Sequence, residues 1–259
     1  MLDETYLKKE LSRIIPEATL FCYEETDSTN ERAMEYLRSG ACRSVTVFIA
    51  ERQTRGRGRR GRSFVSDGGG LYLSVLLPDR RYEDSSGITP ECAVKISRAI
   101  KRVSGLKTEI KWVNDLYASV GGKRKKICGI LAEAESASDG KSLSIVCGMG
   151  INVYKNAVSD EISDIATSIE EATGVRVKIE ELAVCVLEEF FTAISHEELI
   201  REYRRDSMIL GERISVIPFA APQYNAIAIE ILDDYSLLVE TDAKDRRRVY
   251  SGEVSIRPL

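Results

Sequence analysis

The sequence predicts an α+β fold, a mixed β-sheet flanked by helices and followed by a small β-barrel. Three observations carry this reading. Helical periods alternate with short apolar runs through the first 211 residues, and from Glu212 the texture changes to closely spaced short strands. A hydrophobic share of 43% beside 30% charged residues is the balance of a folded globular chain, which excludes disordered and collagen-like classes. At about 150 residues per domain, 259 residues allow one large or two smaller domains, and the change of texture divides the chain into 1–211 and 212–259.

Taken in order, Glu4 to Ile14 reads as a helix and Thr19 to Glu24 as a strand. Thr29 to Arg38 is a helix with Ala33, Met34 and Leu37 on one face, ended by Gly40. Val45 to Ala50 is a buried strand, residues 51 to 70 are too rich in Arg and Gly to be regular, and Leu71 to Leu77 is a strand stopped by Pro78. Pro90 to Val103 is an amphipathic helix, while Glu109 to Val113 and Ile127 to Glu133 are strands separated by a polar loop. Leu143 to Val153 is a strand interrupted by Gly148 and Gly150, and two or three helices fill 160 to 206. The last segment holds strands at Ile214 to Ile217, around Ile227, Ile229 and Ile231, at Leu237 to Glu240 and at Val249 to Ile256, with a turn at Asp233-Asp234.

Composition narrows the chemistry. Six cysteines without a CxxC pair read as free thiols of a reducing cytoplasm. One histidine, His196 at a helix start, is too little for a histidine-based triad or a multi-histidine metal site, so catalysis has to lean on Lys, Arg, Asp and backbone groups. Apolar runs such as Val45 to Ala50 fall far short of the roughly 20 residues that cross a bilayer, and Met1 to Glu10 is too charged for a signal peptide. With 37 basic and 41 acidic residues, the surface as a whole does not suit coating a nucleic acid.

Three stretches stand out. Arg52 to Arg62 holds six arginines and three glycines in eleven residues. It matches a dinucleotide fingerprint at Gly56-x-Gly58-x-x-Gly61 and nearly matches a P-loop, but both need a helix after the glycines, and a strand follows here. Guanidiniums on such a loop repel one another when empty and can close around phosphate or carboxylate, and a solvated or nucleic-acid-binding loop is the bland alternative. Glu25 to Glu31 opens a helix, and Ser28-x-x-Glu31 is a capping box, which alone explains both residues; the same hydroxyl-rich N-terminus can also orient a polar head group. Lys111-Trp112-Val113-Asn114-Asp115, followed by the basic run Lys123 to Lys126 and Ile127-Cys128-Gly129, combines the groups needed to stabilise charge on a phosphate with an ordinary turn signal and a solvated loop.

These segments, with Gly148-Met149-Gly150-Ile151-Asn152, are in order and spacing similar to the biotin protein ligase family, from about residue 20 to the C-terminus. The resemblance implies a class II synthetase-like catalytic domain of the biotin and lipoate ligase type, with a C-terminal SH3-like β-barrel. It implies formation of biotinyl-5′-AMP from biotin and ATP with Mg²⁺, then transfer of biotin to a lysine of a biotin carboxyl carrier protein of acetyl-CoA carboxylase or a related enzyme. By matching position, Ser28 and Thr29 would bond the biotin ureido end, with Gln53, Gly56, Arg57 and Arg59 on the biotin side of the arginine loop. Lys126 would carry most of the charge stabilisation, with Arg59 and Lys111 beside it, and Gly129 and Gly148 would be backbone contacts. Arg57, Arg62, Phe64, Lys111, Asn114 and Asn152 would serve the nucleotide, and Asp115 the Mg²⁺.

Three positions depart from the family pattern. Val113 replaces a usual Pro, Phe64 a usual Trp while keeping an aromatic face, and Asp67 a common Pro. Only about 20 residues precede the first strand, so the expectation is a ligase without the DNA-binding repressor domain of some members, without DNA or membrane as a partner, and able to form a homodimer through Val45 to Ala50 or Leu143 to Val146. The alternatives are a lipoate or octanoate ligase or transferase of the related fold, an RNA-binding module built on the basic loop, and a catalytically dead biotin binder.

Overall fold

A computed structural model of the chain describes residues 2–81, 87–136, 142–218, 221–250 and 254–258. Its first part runs α1 (Glu4–Ile14), β1 (Thr19–Thr26), α2 (Thr29–Arg38), β2 (Thr46–Gln53), β3 (Gly70–Arg80), α3 (Ile88–Ser104), β4 (Glu109–Lys111), β5 (Asp115–Val120), β6 (Lys123–Ser136) and β7 (Leu143–Asn152). Helices α4 (Ile169–Thr173), α5 (Ile179–Phe191) and α6 (His196–Arg205) follow, then strands β8 (Arg213–Pro218), β9 (Tyr224–Ile231), β10 (Leu237–Thr241), β11 (Arg246–Val249) and β12 (Val254–Pro258).

Strands β1 to β7 form one mixed sheet in the order β1-β2-β3-β7-β6-β5-β4, in which β1 and β2 are parallel and the other neighbours antiparallel. Helix α2 covers one face, where Ala33 and Met34 meet Phe48, Leu76 and Val146. On the opposite face Val47, Ile49, Val75, Leu77 and Cys147 join Leu7, Leu11, Ile96, Ile100, Leu182 and Val186 of α1, α3 and α5 in the main core. Two covered faces explain why β2, β3 and β7 read as unbroken apolar runs. The second sheet, β11-β10-β9-β8-β12, is antiparallel throughout, and its Ile214, Ala228, Leu237 and Val239 belong to the same core. Among the described residues no helix is long and apolar enough to cross a membrane, which says nothing about a β-barrel.

Several expectations need correction. Pro78 does not stop β3; the strand reaches Arg80 through a register shift after Leu77, with Asp79 at a positive φ of 50°. The polar loop after Val113 contains a strand, β5, joined to β6 by a turn at Gly121-Gly122, so the basic run Lys123 to Lys126 lies on a strand. The Asn114-Asp115 turn signal and the unbroken basic run on this half-exposed hairpin hid it. The strand expected at Val249 to Ile256 divides between β11 and β12, and 251–253 lie outside the described residues. Strands β2 and β7 are interior, so Val45 to Ala50 and Leu143 to Val146 cannot pair two copies through their edges.

Candidate active site

The site forms where α2 begins. Ser28 is the N-cap residue of α2, but its side chain makes no cap hydrogen bond, so the expected capping box is not formed. Both of its members are used elsewhere: Ser28 lines a pocket and Glu31 pairs with Arg57 at 2.7 Å. Asp27 Oδ1 accepts from the Ser28 backbone N–H at 2.7 Å, and the Thr29 backbone N–H donates to Gln53 Oε1 at 2.8 Å. An N-terminal N–H of α2 is thereby answered by an amide from β2 rather than by the local box.

Behind this corner runs a chain of buried polar groups. Thr29 Oγ1 donates to Gln53 Oε1 at 3.1 Å, and Gln53 Nε2 donates to Ser66 Oγ at 3.0 Å. Ser74, fully buried in β3, has its hydroxyl 2.7 Å from Thr29 Oγ1 and 2.6 Å from Asn30 Oδ1. Asn30 Nδ2 reaches Glu133 Oε2 at 2.8 Å and Leu131 O at 3.2 Å. Leaving one such buried group unpaired costs about 1–3 kcal/mol, so the network fixes its members in place. Gly148 lies against it so closely that a methyl group there would collide with the Asn30 amide.

Across the pocket, β6 and the turn before β5 bring cations and a carboxylate together. Lys126 Nζ pairs with Asp115 Oδ1 at 2.8 Å and lies 5.7 Å from the centre of the Phe64 ring. Asn114 Nδ2 donates to Ile130 O at 2.9 Å, the Ile130 N–H donates to Asn114 O at 2.9 Å, and Arg59 Nη1 donates to Asn114 Oδ1 at 3.2 Å. Burial, with the Arg60 charge, lowers the Arg59 pKa while the Asp115 carboxylate opposes the shift; a guanidinium stays cationic throughout the physiological range. The Phe64 ring lies over β7, where a side-chain carbon at Gly150 would come within 2.5 Å of it.

The arginine loop closes the rim. Arg55 pairs with Asp27 at 3.1 Å, and Arg57 bridges Glu31 at 2.7 Å and Glu133 at 2.9 Å. The Gly58 N–H donates to Arg62 O at 2.7 Å and the Phe64 N–H to Gly56 O at 2.9 Å, which folds the loop back on itself.

Of the residues singled out from sequence, Ser28, Thr29, Gln53, Arg57, Phe64, Asn114, Gly129 and Gly148 line one pocket. Lys126, Asp115 and Arg59 stand directly behind its wall, and Gly56 packs on the Phe64 carbonyl and the Ser66 hydroxyl. The other three are also outside the lining: Lys111 over the Tyr117 ring at 5.5 Å, Arg62 exposed at the end of the loop, and Asn152, whose Nδ2 donates to Thr167 O behind Lys126 at 3.0 Å. Sequence reasoning missed Asn30, Ser66, Ser74 and Glu133 as parts of the site. Ser74 carried a signal, being the one polar residue in the apolar run Leu71 to Leu77.

Over residues 22–152 the chain matches the family described as the biotin/lipoate A/B protein ligase family. It is 29% identical over 267 residues to the bifunctional ligase/repressor BirA of Bacillus subtilis, covering 98% of this chain and 79% of that protein. Similarity to the biotin–[acetyl-CoA-carboxylase] ligase of Mycobacterium tuberculosis is 26% over 231 residues, covering 85% and 82%. Among solved structures, biotin protein ligase from Aquifex aeolicus in complex with biotin and ATP is similar at a TM-score of 0.76 and 28% identity, over 93% of this chain and 99% of that one.

Proposed function

The chain belongs to the biotin/lipoate A/B protein ligase family, and from that premise we propose that it is an ATP-dependent biotin protein ligase. The observation that carries the reading is one pocket with a polar corner at one side and, reached through its lining residue Asn114, a charged cluster behind its wall. A hydroxyl and amide corner suits a neutral polar head, and a cluster of Lys126, Arg59, Asn114 and Asp115 suits an anion.

In the first half-reaction a biotin carboxylate oxygen attacks the α-phosphorus of ATP and pyrophosphate leaves, giving biotinyl-5′-AMP. In the second, a lysine amine of a biotin carboxyl carrier protein attacks the acyl carbon, AMP leaves, and the amine proton passes to solvent. Neither step needs a covalent enzyme residue or a histidine base, because the nucleophiles belong to the substrates and the anhydride is already activated. His196, against Tyr235 at the start of α6, is accordingly spare.

Ser28, Thr29 and Gln53 bind the ureido end, and Gly148 and Gly56 leave the space in which Asn30, Ser66 and the Phe64 carbonyl pack around that corner. Lys126 exchanges its Asp115 partner for the carboxyl and α-phosphate oxygens, with Arg59 and Arg57 beside it. Lys111, Asn114, Arg62, Phe64 and Asn152 serve the nucleotide, Phe64 offering a ring face to the adenine or its neighbour. Among the described residues no group of three or more His, Cys, Asp or Glu could hold a metal ion by itself. One carboxylate with substrate phosphates is nevertheless an ordinary Mg²⁺ set, and Asp115 fits that role once Lys126 turns to phosphate. The ion would neutralise phosphate charge.

The same reading divides the chain into a catalytic domain, 1–211, and a C-terminal module of SH3-like barrel type, 212–259. Six unpaired thiols support a reducing cytoplasmic setting. Two copies pairing through the large sheet would use β1, since β4 at the other edge already bonds to residues 206–208. The reading is tested by incubating the protein with a purified biotin carboxyl carrier domain, biotin and Mg²⁺. Biotinylation seen by mass spectrometry only when ATP is present supports it, and an unmodified carrier under all conditions refutes it.

A further inference from the structure

Residues 112–114 lie between β4 and β5, outside the sheet ladder, yet they lead directly into Asn114 and Asp115. Their position is set by groups that no catalytic role uses. The Trp112 side chain, 4% exposed, donates its Nε1–H to Tyr235 O at 2.8 Å. Tyr203 of α6, fully buried, donates its hydroxyl to Val113 O at 3.0 Å. Two residues before Trp112, the Ile110 N–H donates to Asp206 O at 2.7 Å, and Ile110 O accepts from the Met208 N–H at 2.9 Å. The Tyr203 and Tyr235 rings meet edge to face with centroids 5.8 Å apart. Helix α6, the segment after it and the turn between β9 and β10 therefore hold Ile110, Trp112 and Val113 from behind.

We propose that Tyr203 is a positioning residue for biotin adenylation, and that Trp112 is the handle by which the second sheet sets the place of Asn114, Asp115 and, through them, Arg59 and Lys126. This rests on the ligase reading. The chain of contact is short. Tyr203 bonds the carbonyl of Val113, the next residue bonds Arg59 and both polar groups of Ile130, and the one after pairs with Lys126. Removing the Tyr203 hydroxyl leaves a buried carbonyl without its donor, and the turn moves to find another. A shift of about 1 Å in groups that must meet a reacting phosphate costs up to about 100-fold in rate. The hydrogen bonds of the biotin corner run instead among Thr29, Gln53, Ser66 and Ser74, so it stays as it is.

The test compares wild type, Tyr203→Phe, Trp112→Phe and Val239→Ala, the last a core change in the second sheet at a residue paired with Ala228 of β9. ATP–pyrophosphate exchange is measured at a temperature where each variant is fully folded by circular dichroism. Tyr203→Phe and Trp112→Phe should each lower kcat about tenfold or more while the KM for biotin stays within about twofold. In an Asn114→Ala background, Tyr203→Phe should add less than about a twofold loss, because it acts through the same turn. Val239→Ala should lower the melting temperature and leave kcat unchanged. The inference is overturned if both clamp variants keep wild-type kcat, or if Val239→Ala loses as much as they do. Wild-type protein with no biotin-dependent exchange would instead remove the ligase reading, and this inference with it.

Discussion

The arginine loop and the segment from Lys111 to Gly129 both supply cations to one pocket, but they are held in opposite ways. Arg55 and Arg57 are 79% and 45% exposed at the side chain and are tied by ion pairs to Asp27, Glu31 and Glu133. Such pairs contribute about 0–1 kcal/mol each and are easily exchanged for a ligand's oxygens. Lys126 and Asn114 sit on or beside sheet strands, with backbone bonds to Ile165, Thr167 and Ile130. One side of the site therefore adapts to ligand at little cost, whereas the other is preorganised, which is where charge stabilisation is most effective. The difference teaches that an arginine-rich motif and a catalytic lysine, equally conspicuous as sequence, occupy different positions in the energetics.

The largest effect expected from this contrast is at Lys126. Replacement by Ala should lower the adenylation rate by about 10²–10³-fold while the thermal melt stays near wild type, because the ammonium is 30% exposed and not part of the core. A collapse of the melt would make the lysine structural instead. Next comes Gly148→Ala, which drives a methyl into the Asn30 amide and should weaken biotin binding by about tenfold or more in calorimetry without ATP. Unchanged affinity would show that biotin does not use this corner. A smaller change is expected from Glu133→Gln, which removes one of the two carboxylates on Arg57. Trypsin should cut the ligand-free loop a few-fold faster, with protection regained when biotin and ATP are added. Smallest is a pH effect remote from the loop. Arg98 holds the Glu202 carboxyl below its ordinary 4.5, so the link between α3 and α6 is at full strength above about pH 4.5 and is lost as pH falls through the lowered value. Arg98→Ala should reduce that acid-side slope in a stability-versus-pH series, by less than about 1 kcal/mol.

Much of this organisation was legible before any coordinates. Helices α1 and α2 begin and end where their periodicity and terminal residues placed them, because one apolar face and the break after it dominate such short helices. The apolar runs of β2, β3 and β7 announced strands, that of β2 a buried one, while β7 runs unbroken through Gly148 and Gly150, where an interruption was expected. What stayed hidden depends on partners far along the chain. The β5–β6 hairpin is half exposed and basic, and it is recognisable only when β7 and the 165–167 segment are in place beside β6. The capping box at Ser28 was a sound local rule overridden by Gln53, 24 residues later in sequence than Thr29. Eight of the proposed site residues share one pocket, yet Ser74 and Glu133 show their role only through the distant partners they meet, Thr29 and Asn30 for the one, Asn30 and Arg57 for the other. The clamp of Tyr203 and Tyr235 on the Trp112 turn was equally invisible, since it joins residues 90 and 123 positions apart.

Activation of biotin in this pocket is the central claim. ATP–pyrophosphate exchange, measured on the purified protein with Mg²⁺ and with biotin, lipoate or octanoate supplied separately, tests that directly. Exchange with biotin, and background counts with the other two acids, is the predicted result. Exchange supported by lipoate or octanoate and not by biotin would contradict it.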